Sequence, residues 1–377
     1  MKILIAPDKF KGCLSAAEVA HHLAIGAYLA DPSAEISLCP MADGGEGTVQ
    51  ALVSATGGEL LTHRVTGPLP DTKVDAIFGI LGDRKTAVIE MAAASGLALL
   101  PPDLRNPLNT TTFGTGELLL AAAELGVARI ILGIGGSATC DAGIGCCQAA
   151  GLPVLMRSGE PAAHTEPLTA QDLPEVVLIK RGRGTPLDRL HILVASDVDN
   201  PLYGPRGAAP VFAPQKGASP EQVRWLDSEL EHLARRCNAI DAATTPGAGA
   251  AGGLGFAMLA FFNAELRPGI DIVIDAVHLA DRLNNIDLVL TGEGRLDASS
   301  LGGKTVIGVA DLCKQLHIPC IAICGEITDP GSLHDQGLTA AFALRKPTMS
   351  LEESMQQAGK LLESAAQTAV RAFRQGV

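Results

Sequence analysis

The sequence has few aromatic residues and no excess of positive charge. Aromatic residues make up only 3% of the 377 positions, so a platform that stacks nucleic-acid bases is not expected. Lys and Arg number 29 against 41 Asp and Glu, which gives a formal net charge of −12. This acidity argues against a nucleic acid or an anionic membrane as partner, because clustered cations bind both. It leaves a small anionic ligand open, since a few well-placed cations suffice for one.

Paired cysteines and long apolar runs are also lacking. The nine cysteines form no CxxC pair, so neither a zinc ribbon nor a redox dithiol is indicated. Free thiols in a reducing compartment are the simpler interpretation, and we expect a cytoplasmic protein. The apolar run after Lys2 is too short for a signal peptide. The longest uncharged stretch, 242–264, begins with Thr, Pro and Gly, so no membrane span is expected.

Short strand-like runs alternate with helical patterns along the chain. Ser15 and Glu18 form a capping-box pattern that predicts a helix to about Ala30, and Ser219-Pro220 predicts another helix through about Cys237. Alternation of strands and helices predicts an α/β fold with largely parallel sheets. We expect two α/β domains around a cleft. Residues 1–66 and 285–377 would form a discontinuous, Rossmann-like outer domain, and residues 67–284 an inserted mixed α/β domain.

Six polar loops punctuated by glycine follow predicted strands. Ligands of open α/β sheets bind beyond the carboxyl ends of the strands, where such loops lie. A glycine after a strand often only makes a turn, but six loops of shared chemistry favour a ligand site. Glycine with carboxylates suits phosphate and Mg²⁺. The loops are 7–12, 42–48, 133–139, 196–201, 246–253 and 291–297.

Two of these regions resemble nucleotide motifs incompletely. Gly133-x-Gly135-x-x-Ala138 has the spacing of a dinucleotide fingerprint, but residues 139–145 interrupt the helix that should follow. A general phosphate or carboxylate cradle is therefore favoured over nicotinamide or flavin binding. Gly303-Lys304-Thr305 copies only the end of a Walker A loop. Lys304 is either a phosphate-binding lysine or a plain surface lysine.

Charged pairs in the first two loops have two interpretations each. Lys9 and Lys11 flank Phe10, either as a solvated pair or as partners of a substrate carboxylate or phosphate. Asp43 and Glu46 are three residues apart, which suits acids that complement a helix dipole. The same spacing suits ligands of Mg²⁺.

The loop after the strand near residue 195 carries two further acids. Asp197 and Asp199 flank Val198 and point to one side of an extended segment. One is a candidate general base and the other a candidate metal ligand. No histidine is placed for nucleophilic chemistry, so a covalent hydrolase is disfavoured.

Taken together, the loops are similar to those of the bacterial glycerate kinase family, the type encoded with glyoxylate and sugar-diacid catabolism. The resemblance runs from the first strand to about Gly308. It rests on PDKFKGCLSA, ADGGEGT, GIGGSAT, SDVDNPLYGPRGAAPVFAPQKGA, PGAGAAGGLGF and TGEGRLD…GGKT. It implies phosphorylation of D-glycerate with ATP and Mg²⁺ by two α/β domains. The sequence departs at Cys140 and Ala142, where the family usually has Asn and Gly, and at Ala298–Ser299, where it usually has Gln.

On this interpretation the loops divide into four sets of candidate residues. The catalytic candidates are Asp197, Asp199 and Asp8. The substrate-binding candidates are Lys9, Lys11, Ser137, Asp141 and Asn200. The cofactor-binding candidates are Gly135, Gly136, Gly252, Gly253, Gly292, Gly294 and Lys304. The metal-ligand candidates are Asp43, Glu46, Glu293 and Asp297.

The expected product is 2-phospho-D-glycerate. Phosphorylation at the 3-hydroxyl remains an alternative, because a rotated glycerate would use the same groups. A non-catalytic sensor of organic acids is a more distant alternative, motivated by the departures at Cys140 and Ala142. The expected partners are D-glycerate and ATP, without nucleic acid or membrane, and a homo-oligomer is compatible with the sequence.

Overall fold

In a computed structural model of the chain, residues 1–181, 185–297, 304–328 and 336–376 are described. The chain separates into two compact units. The first unit contains residues 1–43, 50–57 and 269–377, and the second contains 44–49 and 58–268. These boundaries differ from the predicted ones, because residues 44–49 and 58–66 belong to the second unit and 269–284 to the first. The departures at Ala298 and Ser299, and Gly303 of the Walker-like motif, lie outside the described residues.

The strands, numbered in chain order, are β1 Lys2–Ile5, β2 Glu35–Leu38, β3 Glu59–Thr66, β4 Lys73–Ile80, β5 Thr86–Glu90, β6 Arg129–Gly133, β7 Val154–Met156, β8 Val176–Ile179, β9 His191–Ala195, β10 Glu265–Arg267, β11 Leu288–Thr291, β12 Arg295–Leu296, β13 Cys320–Cys324, β14 Glu326–Ile327 and β15 Ala340–Ala343.

The α-helices are α1 Ala16–Ala30, α2 Thr48–Thr56, α3 Ala92–Ser95, α4 Phe113–Glu124, α5 Ile144–Ala149, α6 Ala208–Phe212, α7 Pro220–Arg236, α8 Ile240–Thr244, α9 Ala250–Phe261, α10 Gly269–Ala276, α11 Leu279–Arg282, α12 Thr305–Gln315, α13 Leu351–Gln356 and α14 Ala358–Gln375. Short 3-10 helices begin at Leu97, Pro102, Ala170, Pro186 and Pro214.

The first unit is built on a five-stranded sheet in the order β15-β13-β11-β1-β2, with every pair parallel. The three inner strands β1, β11 and β13 are largely apolar and buried, whereas the edge strands β2 and β15 are partly exposed. Helices α1 and α14 pack on the same core. Gly26 of α1 permits this packing, because a Cβ there would lie 2.2 Å from the Glu363 carbonyl oxygen of α14. The parallel sheet sends the loops that follow β1 and β11 to one edge.

The second unit is built on a six-stranded mixed sheet in the order β10-β9-β6-β5-β4-β3. β5, β6, β9 and β10 are parallel, whereas β3, β4 and β5 pair antiparallel. The apolar helix α9 and the interior side of α7 pack into its core. β7 and β8 form a separate antiparallel pair.

The α/β class predicted from the sequence is confirmed. Ser15 accepts from the Glu18 amide and Glu18 returns the capping-box hydrogen bond at the start of α1. Ser219 does the same for α7 with Gln222. Near the C-terminal end of the chain, Gln357 separates the helices α13 and α14. No helix in the described part of the chain is both long and apolar enough to cross a membrane.

Candidate active site

A cavity of about 410 Å³ opens in the first unit at the edge where β1 and β11 end. The two strands are neighbours in register, and the Asp8 amide donates to the Gly292 carbonyl at 2.8 Å. The loops after both strands therefore contribute to one cavity. Its charged lining includes the predicted residues Asp8, Lys9, Lys11, Asp43, Glu293, Asp297 and Lys304.

Asp8 is the most enclosed carboxylate of this charged lining. It is 6% exposed, and its two oxygens accept from the Lys9 amide at 2.7 Å and from Thr305 Oγ1 at 2.7 Å. Burial raises the pKa of Asp8 above 3.8, with Lys9 opposing the shift and Asp43 adding to it. A carboxylate of raised pKa that is held in place from two sides is suited to accept a proton.

Lys9 connects two carboxylates of the cavity. Its Nζ lies 3.7 Å from Asp8 Oδ1 and 3.7 Å from Asp43 Oδ1. Lys11 is exposed, and Lys304 occupies the N-cap position of α12. The predicted cations of the first loop and of the Walker-like motif are thus gathered at one cavity.

Two of the four metal-ligand candidates, Asp43 and Asp297, have cationic neighbours in the structure. Among the described residues, no group of three His, Cys, Asp or Glu side chains could hold a metal ion. Asp43 lies beside Lys9, and Asp297 lies 3.7 Å from Arg295 Nε. Glu46 belongs to the second unit. The side chains of Lys9 and Arg295 thus offset part of the electrostatic repulsion between these carboxylates, so a metal ion is not needed for that purpose.

The two predicted cofactor glycines of this edge have different surroundings. A Cβ on Gly292 would lie 2.0 Å from the Ile323 carbonyl oxygen, so Gly292 allows β11 to approach β13. Its predicted role at a cofactor is not supported by this environment. Gly294 lines the cavity, and a Cβ there would lie 3.4 Å from the Lys11 amide nitrogen.

In the second unit, the loop after β6 is partly exposed. Gly135 and Gly136 are accessible, and Gly136 has a φ of +74°, which favours glycine. Ser137 turns inward and its Oγ accepts from Lys216 Nζ at 2.7 Å. The exposed glycines can approach a ligand, whereas Ser137 already has an internal partner.

Lys216 is a charged residue that sequence reasoning missed. It is 2% exposed, and its Nζ donates to Ser137 Oγ at 2.7 Å and to the Thr139 carbonyl at 2.6 Å. Burial lowers the pKa of Lys216 from 10.5 to about 8. The sequence signal is its place as the one charged residue of the run PVFAPQKGA. Through these two hydrogen bonds, the buried Lys216 side chain fixes the end of the loop of residues 133–139.

Asp141 is an internal residue, contrary to its predicted contact with substrate. It is fully buried. Its carboxylate accepts from the Thr112 amide at 2.9 Å, from Thr112 Oγ1 at 2.8 Å and from the Gly143 amide at 3.1 Å. Burial raises the pKa of Asp141 above 3.8, although these hydrogen bonds oppose the shift. Asp141 therefore ties two buried segments together.

The departures at positions 140 and 142 are buried as well. Cys140 is fully buried, and burial raises the pKa of its thiol to about 11, so it offers no polar contact to a ligand. Ala142 has a φ of +53°, in the left-handed region that costs a residue with a Cβ roughly 1–2 kcal/mol. The glycine usual in the family would relieve this cost.

Gly252 and Gly253 also face the interior, contrary to their predicted role at a cofactor. Their φ angles are +68° and +95°. A Cβ on Gly252 would lie 2.0 Å from the Thr139 carbonyl oxygen, and one on Gly253 would lie 2.8 Å from Ala142 Cα. Their lack of side chains allows the start of α9 to pack on the segment of residues 139–142.

The acidic segment after β9 is exposed. Asp199 pairs with Arg206 at 2.8 Å, with the two side chains 72% and 68% exposed, and the Arg206 hydrogen bond holds the pKa of Asp199 below 3.8. Asn200 Nδ2 donates to the Arg206 carbonyl at 2.7 Å. Asp197 is exposed as well. These residues remain candidates, but none has the enclosed setting of Asp8.

A parallel α/β sheet with a charged cavity at the carboxyl ends of its strands defines an α/β enzyme that acts on a small ligand. Comparison with known proteins identifies the family within this class. The profile of the glycerate kinase family matches residues 3–374. A glycerate kinase of Halalkalibacterium halodurans is 47% identical over 97% of this chain and 96% of its own length. The glycerate 2-kinase of Escherichia coli is 46% identical over 95% and 94%.

A solved structure gives the same result. A crystal structure assigned to glycerate kinase 2 from Salmonella typhimurium LT2 superposes with a TM-score of 0.89 at 44% identity. The superposition covers 100% of this chain and 99% of the Salmonella typhimurium chain. This chain therefore belongs to the glycerate kinase family and is a kinase. Family membership implies ATP as a substrate.

Proposed function

We propose that this enzyme transfers the γ-phosphoryl group of ATP to the 2-hydroxyl of D-glycerate. The observation that carries the proposal is the cavity of the first unit, where Lys9, Lys11 and Lys304 meet the enclosed carboxylate of Asp8. Phosphoryl transfer needs positioning and charge neutralisation more than covalent chemistry, and this lining provides both. The name of the Escherichia coli relative, glycerate 2-kinase, favours the 2-hydroxyl.

Asp8 is our candidate for the general base. Its carboxylate would take the proton of the attacking hydroxyl as the new O–P bond forms and ADP leaves. The Lys9 amide and Thr305 Oγ1 hold both of its oxygens, which fixes the direction of the carboxylate. Asp197, the first candidate from the sequence, is exposed and remains the alternative.

The lysines of the cavity are the proposed partners of the substrate anions. Lys9 and Lys11 follow Asp8 directly in the loop after β1, and we assign them to the glycerate carboxylate and the transferred phosphoryl group. Lys304, at the start of α12, is assigned to the ATP phosphates. Point charges of this kind stabilise phosphate oxygens without demanding one orientation.

The lining also fits Mg²⁺ that arrives with ATP. Mg²⁺ keeps several waters and is usually bound by one or two carboxylates together with substrate phosphates, so a preformed cage of acids is not needed. Asp43 and Asp297 line the cavity and are the proposed ligands. When bound, Mg²⁺ would neutralise the charge that develops on the phosphates.

The test is turnover of ATP with D-glycerate and Mg²⁺, followed by ³¹P NMR of the product. We expect ADP and 2-phospho-D-glycerate in equal amounts. Formation of 3-phosphoglycerate would show that the 3-hydroxyl is the acceptor, and the enzyme would still be a glycerate kinase. Tight binding of D-glycerate without turnover would favour the sensor and overturn the proposal. We also propose a cytoplasmic location, since all nine cysteines are free thiols.

A further inference from the structure

The cavity of the first unit has an apolar part that phosphate and glycerate chemistry do not use. The apolar lining consists of Phe10, Cys13, Leu344, Leu351, Met355 and Ala358. Leu351 is 61% exposed and Met355 is 36% exposed, although both are large apolar side chains. Exposed apolar side chains beside a charged cavity mark a place where a ligand covers them.

The loop after β1 runs from the charged part to the apolar part. At its start, Asp8 accepts from Thr305 Oγ1. At its end, Cys13 Sγ donates to the Met355 carbonyl of α13 at 3.3 Å, and a Cβ on Gly12 would lie 3.8 Å from Met355 Cε. Five residue steps span at most about 18 Å, so one extended ligand can reach both parts of the cavity.

The loop is also fixed between these ends. The Phe10 amide donates to the Leu14 carbonyl at 2.8 Å, and the Leu14 amide donates to the Phe10 carbonyl at 2.9 Å. Phe10 itself is buried in the core of the unit. The apolar surface beside Cys13 is thus presented by an anchored backbone, as a largely preformed ligand pocket requires.

We propose that the apolar part formed by Cys13, Leu351 and Met355 receives the adenine ring of ATP, while the phosphates lie toward Asp8 and Lys304. The proposal rests on the proposed use of ATP. An adenine ring is flat and apolar on its faces, and the flexible thioether of methionine adapts to such a surface. D-glycerate is polar along its whole length and would gain nothing from these side chains. Only the nucleotide has an apolar group joined to an anionic chain.

Chemical labelling of Cys13 tests this placement directly. Cys13 and Cys237 are the two cysteines that are not buried, so Cys237→Ala leaves Cys13 as the one accessible thiol. The Cys237→Ala enzyme is treated with N-ethylmaleimide at mildly alkaline pH, because burial and Glu18 raise the pKa of Cys13. Labelling is measured by mass spectrometry without ligand, with MgADP, with D-glycerate and with magnesium tripolyphosphate. Cys13→Ser in the same background is the control for labelling elsewhere.

Saturating MgADP is expected to slow labelling of Cys13 at least about tenfold, as a thiol covered by a preformed complex requires. D-glycerate and tripolyphosphate are expected to change the rate less than about twofold, because neither carries a base. Calorimetric binding of MgADP without protection of Cys13 would overturn the adenine placement. Protection that rises with protein concentration and not with MgADP would assign the apolar part to a second copy of the chain, and would also overturn it.

A substitution of Leu351, the most exposed residue of the apolar part, provides a second test through ligand affinity. Leu351→Asn, which adds no charge, is expected to weaken MgADP binding about tenfold, through lost apolar contact with the base, and to leave tripolyphosphate binding unchanged. Leu316→Asn, at an exposed leucine of the same unit outside the cavity, is the matched control. Equal effects on MgADP and tripolyphosphate would contradict a base site. Absence of MgADP binding to the wild-type enzyme would instead contradict ATP use itself, so the two failures are distinguishable.

Discussion

The glycine-containing segments of the two units share a sequence pattern, but individual charged residues in them have different environments. In the first unit, Asp8 and Lys9 line a cavity at the sheet edge. In the second unit, Asp141 and Lys216 are enclosed by the chain, and Gly252 contacts backbone. Glycine allows close approach, but it does not decide whether the approaching group is a ligand or another segment of the same chain. The comparison separates charges that line a cavity from charges that are buried among segments of the chain.

The largest effect should come from the cavity of the first unit. Asp8→Asn keeps the shape of the side chain but removes the proton acceptor, so kcat should fall by about 10²–10⁴. The midpoint of thermal unfolding should change little. Steady-state kinetics with ATP and D-glycerate measures the effect, with Asp197→Asn as the matched variant in the second unit. A normal kcat for Asp8→Asn together with a large loss for Asp197→Asn would place the base in the second unit.

In the second unit the corresponding substitution should affect folding. Asp141→Ala removes the acceptor of three buried hydrogen bonds, from two donors on Thr112 and one on Gly143. Because donors left unsatisfied cost about 1–3 kcal/mol each, we expect a total loss of at least about 3 kcal/mol of unfolding free energy. Urea unfolding measures it. Asp199→Ala, at an exposed carboxylate, should leave the unfolding free energy nearly unchanged, and equal losses for the two variants would contradict the difference between the units.

Lys216 should make stability depend on pH in an unusual direction. Its pKa is about 8 in the folded state against 10.5 as the ordinary value, so between these values the unfolded chain binds more protons. Unfolding free energy should therefore rise with pH across this range, by about 2 kcal/mol from roughly pH 7 to 9.5.

The contribution of Lys216 is isolated by comparison with Lys216→Met, which has no amine to titrate. The difference between the two unfolding free energies should move in favour of the wild type as the pH rises, and urea titrations at several pH values measure it. A difference that is constant with pH would show that the Lys216 amine is not desolvated in the folded enzyme.

The smallest expected effect concerns the strain at Ala142. Ala142→Gly should stabilise the protein by about 1 kcal/mol, because glycine adopts a positive φ without a steric cost. Ala122→Gly, at a buried position inside α4, should instead destabilise by about 1 kcal/mol or more. Thermal and urea unfolding compare them. Destabilisation by Ala142→Gly would indicate that the lost contacts of the methyl group outweigh the backbone strain.

The sequence by itself determined the class of fold, the starts of several helices and the loops that follow the strands. These are local properties: Ser15 and Glu18 are three residues apart, and apolar runs mark a buried strand wherever it pairs. The family could also be predicted, because its motifs are contiguous stretches of sequence. Asp8, Lys9, Asp43 and Lys304 line one cavity, as expected where parallel strands place their loops at one edge of a sheet.

Only the tertiary structure decided which polar residues face inward. Asp141 and Thr112 are 29 positions apart, and Lys216 and Ser137 are 79 apart, so no local pattern links the members of either pair. Likewise, a glycine is needed at position 252 because the Thr139 carbonyl oxygen lies against it. The sequence around neither residue shows that the two are in contact. A buried charge or a glycine is explained by its partner across the fold, and pairing between distant segments is set by packing of the whole chain.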